Sequence, residues 1–377
     1  MALHHPDHGA RQQCYRWHTE SDRTRIRQFE GARYVITTRD IAERLGVSVS
    51  TVGRALADDP RISEETKFRV RQAASEMGYV ANRAARMMRG ASSNVVALVI
   101  PDIRNSFYST IAHELSKNME AEGFQLMLSE TDDDRMVELR HLRELSANRV
   151  AGVIIVPTAR PHNESVKLLR AVPHLQLLRR HPSLGSQWFG VDDHEALRRA
   201  TAHLVGLGHT RIAYLGGPEE LPTGAERLRG FRSALQEGGL PDTAGITELG
   251  PPSSVDHGRQ AVRRLLQGPD APTALVLGSI QLTLGVLEEL SEQEVEVPGE
   301  LSVVGFGDEP GFSWWGPGLT TIGLPIQEMA TGCALWLMRR LKTKPSNDGP
   351  YTSLSPGSLI VRGSTAPRAG RAASTSD

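Results

Sequence analysis

Cysteine is nearly absent. The 377-residue chain holds two, Cys14 and Cys333. Two thiols build neither a disulfide framework nor a thiolate metal site, and their scarcity fits a reducing, cytoplasmic setting. Long apolar runs are also missing. The longest, such as 95–100 and 150–156, fall far short of the ~18 residues a membrane-spanning helix requires. The N-terminus MALHHPDHGARQQC lacks the apolar core of a secretory signal. A strong charge of either sign is missing too: the formal net charge is -1, so any nucleic-acid contact has to be local. Catalytic signatures fail to appear. There is no Gly-x-Ser-x-Gly elbow, no phosphate-binding P-loop and no His-Glu-x-x-His. GFGDEPG carries glycines but is not a dinucleotide fingerprint with a helix directly following. His4, His5 and His8 have no second ligand cluster to complete a metal site. Neither an enzyme, a cofactor nor a metal is therefore expected.

What is present supports two or three domains, since 39% of residues are hydrophobic and 23% charged. Residues 1–34 are polar, without periodicity, and read as a disordered extension. Between 37 and 90 lie three helical patterns. Thr37 with Asp40 resembles a capping box ahead of TRDIAERL, and Gly46 ends that helix. Ser48 caps a second helix with Val52, Ala55 and Leu56 as its apolar positions. Ser63 caps a third, whose stripe is Phe68, Val70, Ala73, Ala74 and Met77. Helices this short need one another.

Two short helices around a Gly turn match a helix–turn–helix, although periodicity alone fits a packing hairpin equally well. Small residues Ser48, Val49, Ser50 and Thr51 open the second helix, and Arg54 one turn on can donate twice to a guanine. Residues 35–90 carry ten Lys/Arg against seven Asp/Glu, a local net of +3.

From Asn94 onward strand-like runs alternate with amphipathic helical patterns: VVALVIP, FQLMLSE, GVIIVP, then RIAYLGG, ALVLGS and LSVVGFGD. Such alternation predicts parallel sheets with crossover helices. The pattern restarts near Val191, which implies two α/β subdomains. The end of the chain is small and polar and reads as a disordered tail over 366–377.

The string TTRDIAERLGVSVSTVGRALADDPRISEETKFRVRQAASEMGYVANRAARMMRG resembles the DNA-binding region of the LacI/GalR family of bacterial transcription regulators. VALVIPDIRNSFYSTI, VGLGHTRIAYLGGP, LSVVGFGDEP and LIVRGSTAP extend the resemblance over nearly all of 36–365. It implies a three-helix helix–turn–helix domain (35–81), a hinge helix and linker (82–93) and a periplasmic-binding-protein-like core of two parallel-sheet subdomains (94–365), with the chain crossing back after about 320. It also implies a homodimer, or a tetramer, on a near-palindromic operator. A small effector would set the operator affinity, with no membrane partner.

Residue by residue, the resemblance implies base reading by Val49, Ser50 and Arg54, and phosphate contacts from Thr37, Thr38 and Thr51. Asn82, Arg83 and Arg86 of the hinge would support phosphates, and Met88 would be its minor-groove wedge. Gly53 and Ala57 depart from the family's usual Ser and Asn. The effector cleft would draw on Asn105, Phe107, Tyr108, Arg180, Arg227, Ser279, Asp308 and Trp314. Arg179-Arg180 stands where the family usually has Asp-Arg, and Ser279-Ile280 where it commonly has Asn-Asp. The resemblance leaves a sugar, a sugar acid or a phosphorylated metabolite as the expected effector, and an acid lost and an arginine gained favour the acidic or phosphorylated kinds over a simple neutral sugar. A transport binding protein would share the core but not the helical segment.

Overall fold

The structure, a computed structural model, describes residues 36–79, 93–268, 270–343 and 349–368. The hinge positions Asn82, Arg83, Arg86 and Met88, and the extension over 1–34, lie outside the described residues. The chain divides into two units, 1–91 and 92–377.

In the first unit α1 spans Thr38–Leu45. The Asp40 carboxylate accepts from both the Thr37 N–H and the Thr37 hydroxyl at 2.7 Å, closing the first turn. Gly46 ends the helix at φ +66, a conformation that suits glycine. In α2 (Val49–Leu56) the Ser48 hydroxyl accepts from the Thr51 N–H at 3.0 Å. Helix α3 covers Glu64–Glu76. Ile41, Val52, Ala55 and Val70 are fully buried among the three helices.

Phe68 corrects the expected stripe of α3: it is 68% exposed. In its place Lys67 turns inward and pairs with Glu64 at 2.6 Å and Asp58 at 3.1 Å. The helical period explains the exchange. Lys67, Val70 and Ala74 share one face, and Phe68 falls on the other side of the turn.

The second unit opens with β1 (Val95–Ile100), β2 (Gln125–Glu130), β3 (Gly152–Ile155), β4 (His174–Leu177) and β5 (Trp188–Val191). Helices α4 (Ser106–Glu120), α5 (Arg135–Ala147) and α6 (Asn163–Arg170) cross between the first four. After α7 (Asp193–Gly206) follow β6 (Ile212–Gly216), α8 (Pro222–Glu237), β7 (Gly245–Leu249), α9 (Val255–Gln267), β8 (Ala274–Leu277), α10 (Ile280–Glu292), β9 (Ser302–Phe306) and β10 (Thr320–Gly323). Then come α11 (Ile326–Lys342), β11 (Thr352–Ser355) and β12 (Ser358–Ile360).

Two six-stranded sheets result, ordered β11-β5-β4-β3-β1-β2 and β12-β10-β9-β8-β6-β7. All pairings are parallel except β10 with β12. β1 is apolar throughout and buried at every position, as a strand covered on both faces must be. Helix α11 returns to the first sheet, setting Met329, Cys333 and Leu337 against Ile111 and Leu115. The chain thus passes between the subdomains three times, after β5, after β10 and between β11 and β12.

The tail expected to be disordered from 366 is held as far as Arg368. His203 Nε2 lies 2.9 Å from Thr365 Oγ1, and His209 Nε2 lies 3.1 Å from the Ala366 carbonyl. His209 Nδ1 faces Thr273 Oγ1 at 2.9 Å, and the Arg368 N–H donates to Leu207 O at 3.0 Å. These polar partners, invisible in a polar sequence, anchor the segment. Burial holds both imidazoles below their usual range, and Arg368 adds to this at His209. The unfolded chain therefore binds protons more readily, so their contribution to stability falls as pH drops below ~6.5. Urea unfolding from pH 7.5 down to 5.5 is expected to show a steeper loss in the wild type than in His203→Gln/His209→Gln; equal slopes would remove these residues as the cause.

Candidate DNA-reading face and effector cleft

On the first unit, Val49 is 45% exposed, and Ser50 and Arg54 are exposed beside it. Val52 and Ala55 of the same helix point into the core, so the helical period itself presents 49, 50 and 54 together. Ser48 Oγ lies 2.8 Å from both Ser50 Oγ and Thr51 Oγ1, a hydroxyl cluster at the start of α2. Thr37 is exposed, and Thr38 and Thr51 are half-buried. Among the described residues Arg54 forms no ion pair, unlike Arg44 with Glu76 or Arg61 with Asp59.

In the second unit a cavity lies where the C-terminal ends of both sheets meet. The atom-free space there, open mouth included, comes to about 680 Å³. Of the residues named from the resemblance, Asn105, Phe107, Tyr108, Arg227 and Ser279 line it, together with Arg179, Asp133 and Phe306. Asn105 caps α4, its Oδ1 accepting from the Phe107 N–H at 3.1 Å. The Ser279 hydroxyl donates to Pro252 O at 2.6 Å and accepts from the Leu282 N–H at 3.2 Å, capping α10.

Arg227 is held on three sides. Its Nε donates to Asp193 Oδ1 at 2.6 Å and its Nη1 to the Gly278 carbonyl at 2.6 Å. Its guanidinium carbon sits 4.0 Å from the centre of the Phe306 ring. Asp193 is 4% exposed; burial pushes its carboxyl above the ordinary range, and Arg227 opposes that push. The Tyr108 phenol is likewise pushed up by burial, with Arg179 working against it.

Three comparisons with known proteins decide the family. The description "Bacterial regulatory proteins, lacI family" matches residues 37–82, and "Periplasmic binding protein-like domain" matches 201–365. The HTH-type transcriptional regulator DegA of Bacillus subtilis is 30% identical over 340 residues, covering 88% of this chain and 98% of DegA. The chain belongs to the LacI family of bacterial transcriptional regulators. The HTH-type transcriptional repressor CytR of Escherichia coli is 28% identical over 87% of this regulator and 96% of its own length. A solved Lac repressor dimer, bound to operator and the anti-inducer ONPF, superposes with a TM-score of 0.75 at 26% identity, covering 88% of this chain and all of that one.

Three cleft residues implied by the resemblance sit elsewhere in this LacI-family regulator. Arg180 is exposed and lies 4.9 Å over the Trp188 ring, in a neighbouring cavity. Asp308 is clamped by Arg362 at 2.7 and 3.0 Å and by the Thr321 hydroxyl at 3.1 Å. Trp314 is 77% exposed and does not line the cleft. Gly307, at φ +82, redirects the chain just before Asp308.

Asp133 and Asp193 escaped the reading of the sequence. Both lie in short acidic runs, TDDDR and VDDHEA, at helix starts. Asp134 caps α5 and Asp192 caps α7. Each partner acid sits beside a capping acid and looks like part of it.

Removing Arg227 strands a buried carboxylate, which costs about 3–5 kcal/mol in such sites. Arg227→Ala should lower the chemical-denaturation free energy by about that range. Arg227→Met/Asp193→Asn, which removes both charges, should recover at least half of it. No recovery would mean the two residues are not coupled.

Proposed function

We propose that this DNA-binding transcriptional regulator reads a near-palindromic operator as a homodimer through α2, as a repressor whose affinity is set by a small metabolite in the cleft. The observation that carries the reading is the pairing of two unlike surfaces in one chain. One is an exposed helix face with a guanidinium in no ion pair. The other is an open-mouthed cleft between two subdomains, lined by paired charges. Val49 offers apolar contact for a thymine methyl, Ser50 adds a hydroxyl, and Arg54 supplies a two-pronged donor for guanine. Thr37, Thr38 and Thr51 stand near helix starts, where phosphate oxygens are favoured.

The cleft supplies the control. A ligand bridging both subdomains favours the closed pose, and any difference in operator affinity between poses becomes a coupling free energy of about 1–3 kcal/mol, or roughly 5–150-fold. Gln281 Nε2 already donates across the cleft to the Arg104 carbonyl at 3.3 Å, so closure has a direct contact to build on. The relatives' names support the reading, since they are transcriptional regulators and the solved Lac repressor carries both operator and a small molecule.

Fluorescence anisotropy on DNA from the gene's own upstream region tests the two sites separately. Arg54→Ala should weaken operator binding by about 1–3 kcal/mol and relax preference at one base position. Tyr108→Phe removes a single hydroxyl from the cleft wall. It should leave ligand-free operator affinity unchanged and weaken the effector response. Uniform weakening by Arg54→Ala across all sequences would assign that residue to phosphate instead.

A further inference from the structure

Arg179 and Asp133 face each other across the cleft wall. The guanidinium reaches the carboxylate with both arms: Nη1 pairs with Oδ1, and Nη2 donates to Oδ2 at 3.1 Å. The Arg179 side chain is 7% exposed and that of Asp133 is 32% exposed. Both line the cavity.

The backbone that delivers them is unusual at both ends. Leu178 sits at φ +59, and the Arg179 N–H closes a tight turn onto Leu177 O at 2.7 Å. Leucine adopts this region at a steric cost. On the facing loop, Asp132 and Asp133 lie at φ +50 and +57 in succession. Such strain persists where the surrounding structure holds it, and it gathers at ligand clamps.

The charges around the cleft also balance. Arg104 pairs with Asp102, Arg179 with Asp133 and Arg227 with Asp193. Among the described residues, both arginines that line the cavity, Arg179 and Arg227, are already met by a carboxylate. Arg179 still has its Nε–H and one N–H on each arm to give, and Asp133 still has lone pairs to offer. Donors and acceptors therefore stand side by side, which is what two adjacent hydroxyls need. A carboxylate or phosphate in the same place would lie against Asp133.

We infer that the Arg179–Asp133 pair is a specificity-determining element that selects an uncharged effector with adjacent hydroxyls and rejects its carboxylate and phosphate analogues. This rests on the cleft being the effector site. It reverses the acidic metabolite expected from the gain of Arg179 alone, because that arginine comes with its own counter-ion.

Isothermal titration calorimetry with inorganic phosphate at constant ionic strength tests the pair without knowing the effector. The wild type should show no saturable binding. Asp133→Asn, which frees the guanidinium, should bind phosphate saturably, and Asp133→Asn/Arg179→Met should lose that gain. Saturable phosphate binding by the wild type that Arg179→Met abolishes, or no gain in folded Asp133→Asn, overturns the inference. Should Asp133→Asn fail to fold, the wild type decides alone against glucose, glucuronate and glucose 6-phosphate, galactose and galacturonate, and ribose and ribose 5-phosphate. Binding of any acidic or phosphorylated member in the cleft then overturns the inference, and its absence upholds it. Operator titrations run in parallel separate the two readings. An acid that binds and shifts operator affinity keeps the effector site and discards the neutral ligand. A neutral sugar that binds the cleft without moving operator affinity does the reverse.

Discussion

A guanidinium buried without a partner would undo the cleft, and the paired Arg227 and Asp193 prevent it. Their contact joins the first turn of α7 to α8, while the bond to Gly278 O ties both to the loop after β8. Phe306 at the end of β9 completes the seat. Four segments from one subdomain are thereby fixed around a single charge. The geometry follows from the sheets. Parallel strands buried on both faces carry mostly apolar side chains within the layers and no charged ones at β1, β3 and β8. Charged side chains collect at the strand ends, and the two sets of ends face each other.

The helical unit was legible because its determinants are local. Thr37 with Asp40, Gly46, Ser48 and Ser63 each act within four residues, and the structure places them at the helix ends. Phe68 was misread because an apolar residue was assumed to join an apolar stripe, whereas the period gives that inward place to Lys67. In the core, strongly apolar strands such as β1 and β8 stood out. β4, β7 and β11 did not, being short and carrying His, Gln, Thr or Ser. The ion-pair partners of the cleft were the least legible, since Asp133 and Arg179 lie 46 residues apart and nothing local couples them. The choice between Arg179 and Arg180 depended on the turn at Leu178, which places Arg179 against the cavity.

The two sites should also respond differently to their medium. Operator binding of the proposed kind, in which cationic side chains displace counterions from phosphates, weakens steeply with salt. A cleft whose charges are paired internally exerts little long-range pull, and binding there should be nearly indifferent to ionic strength. The effector signal can then stay constant while the DNA term is tuned by the cell's ion content.

Helix α11 carries a consequence for synthesis. It is made after every strand of the second subdomain except β12, yet it buries Met329, Cys333 and Leu337 in the first. Until residue 342 has left the ribosome, the face of the first sheet that includes Leu175 and Phe189 has only α4 to cover it on that side. A nascent or truncated chain would display that surface to chaperones and proteases. The buried thiol of Cys333, pushed up by burial, would stay reactive until the helix docks. Labelling of the Cys333 thiol in arrested chains would thus report when this helix docks on the first subdomain.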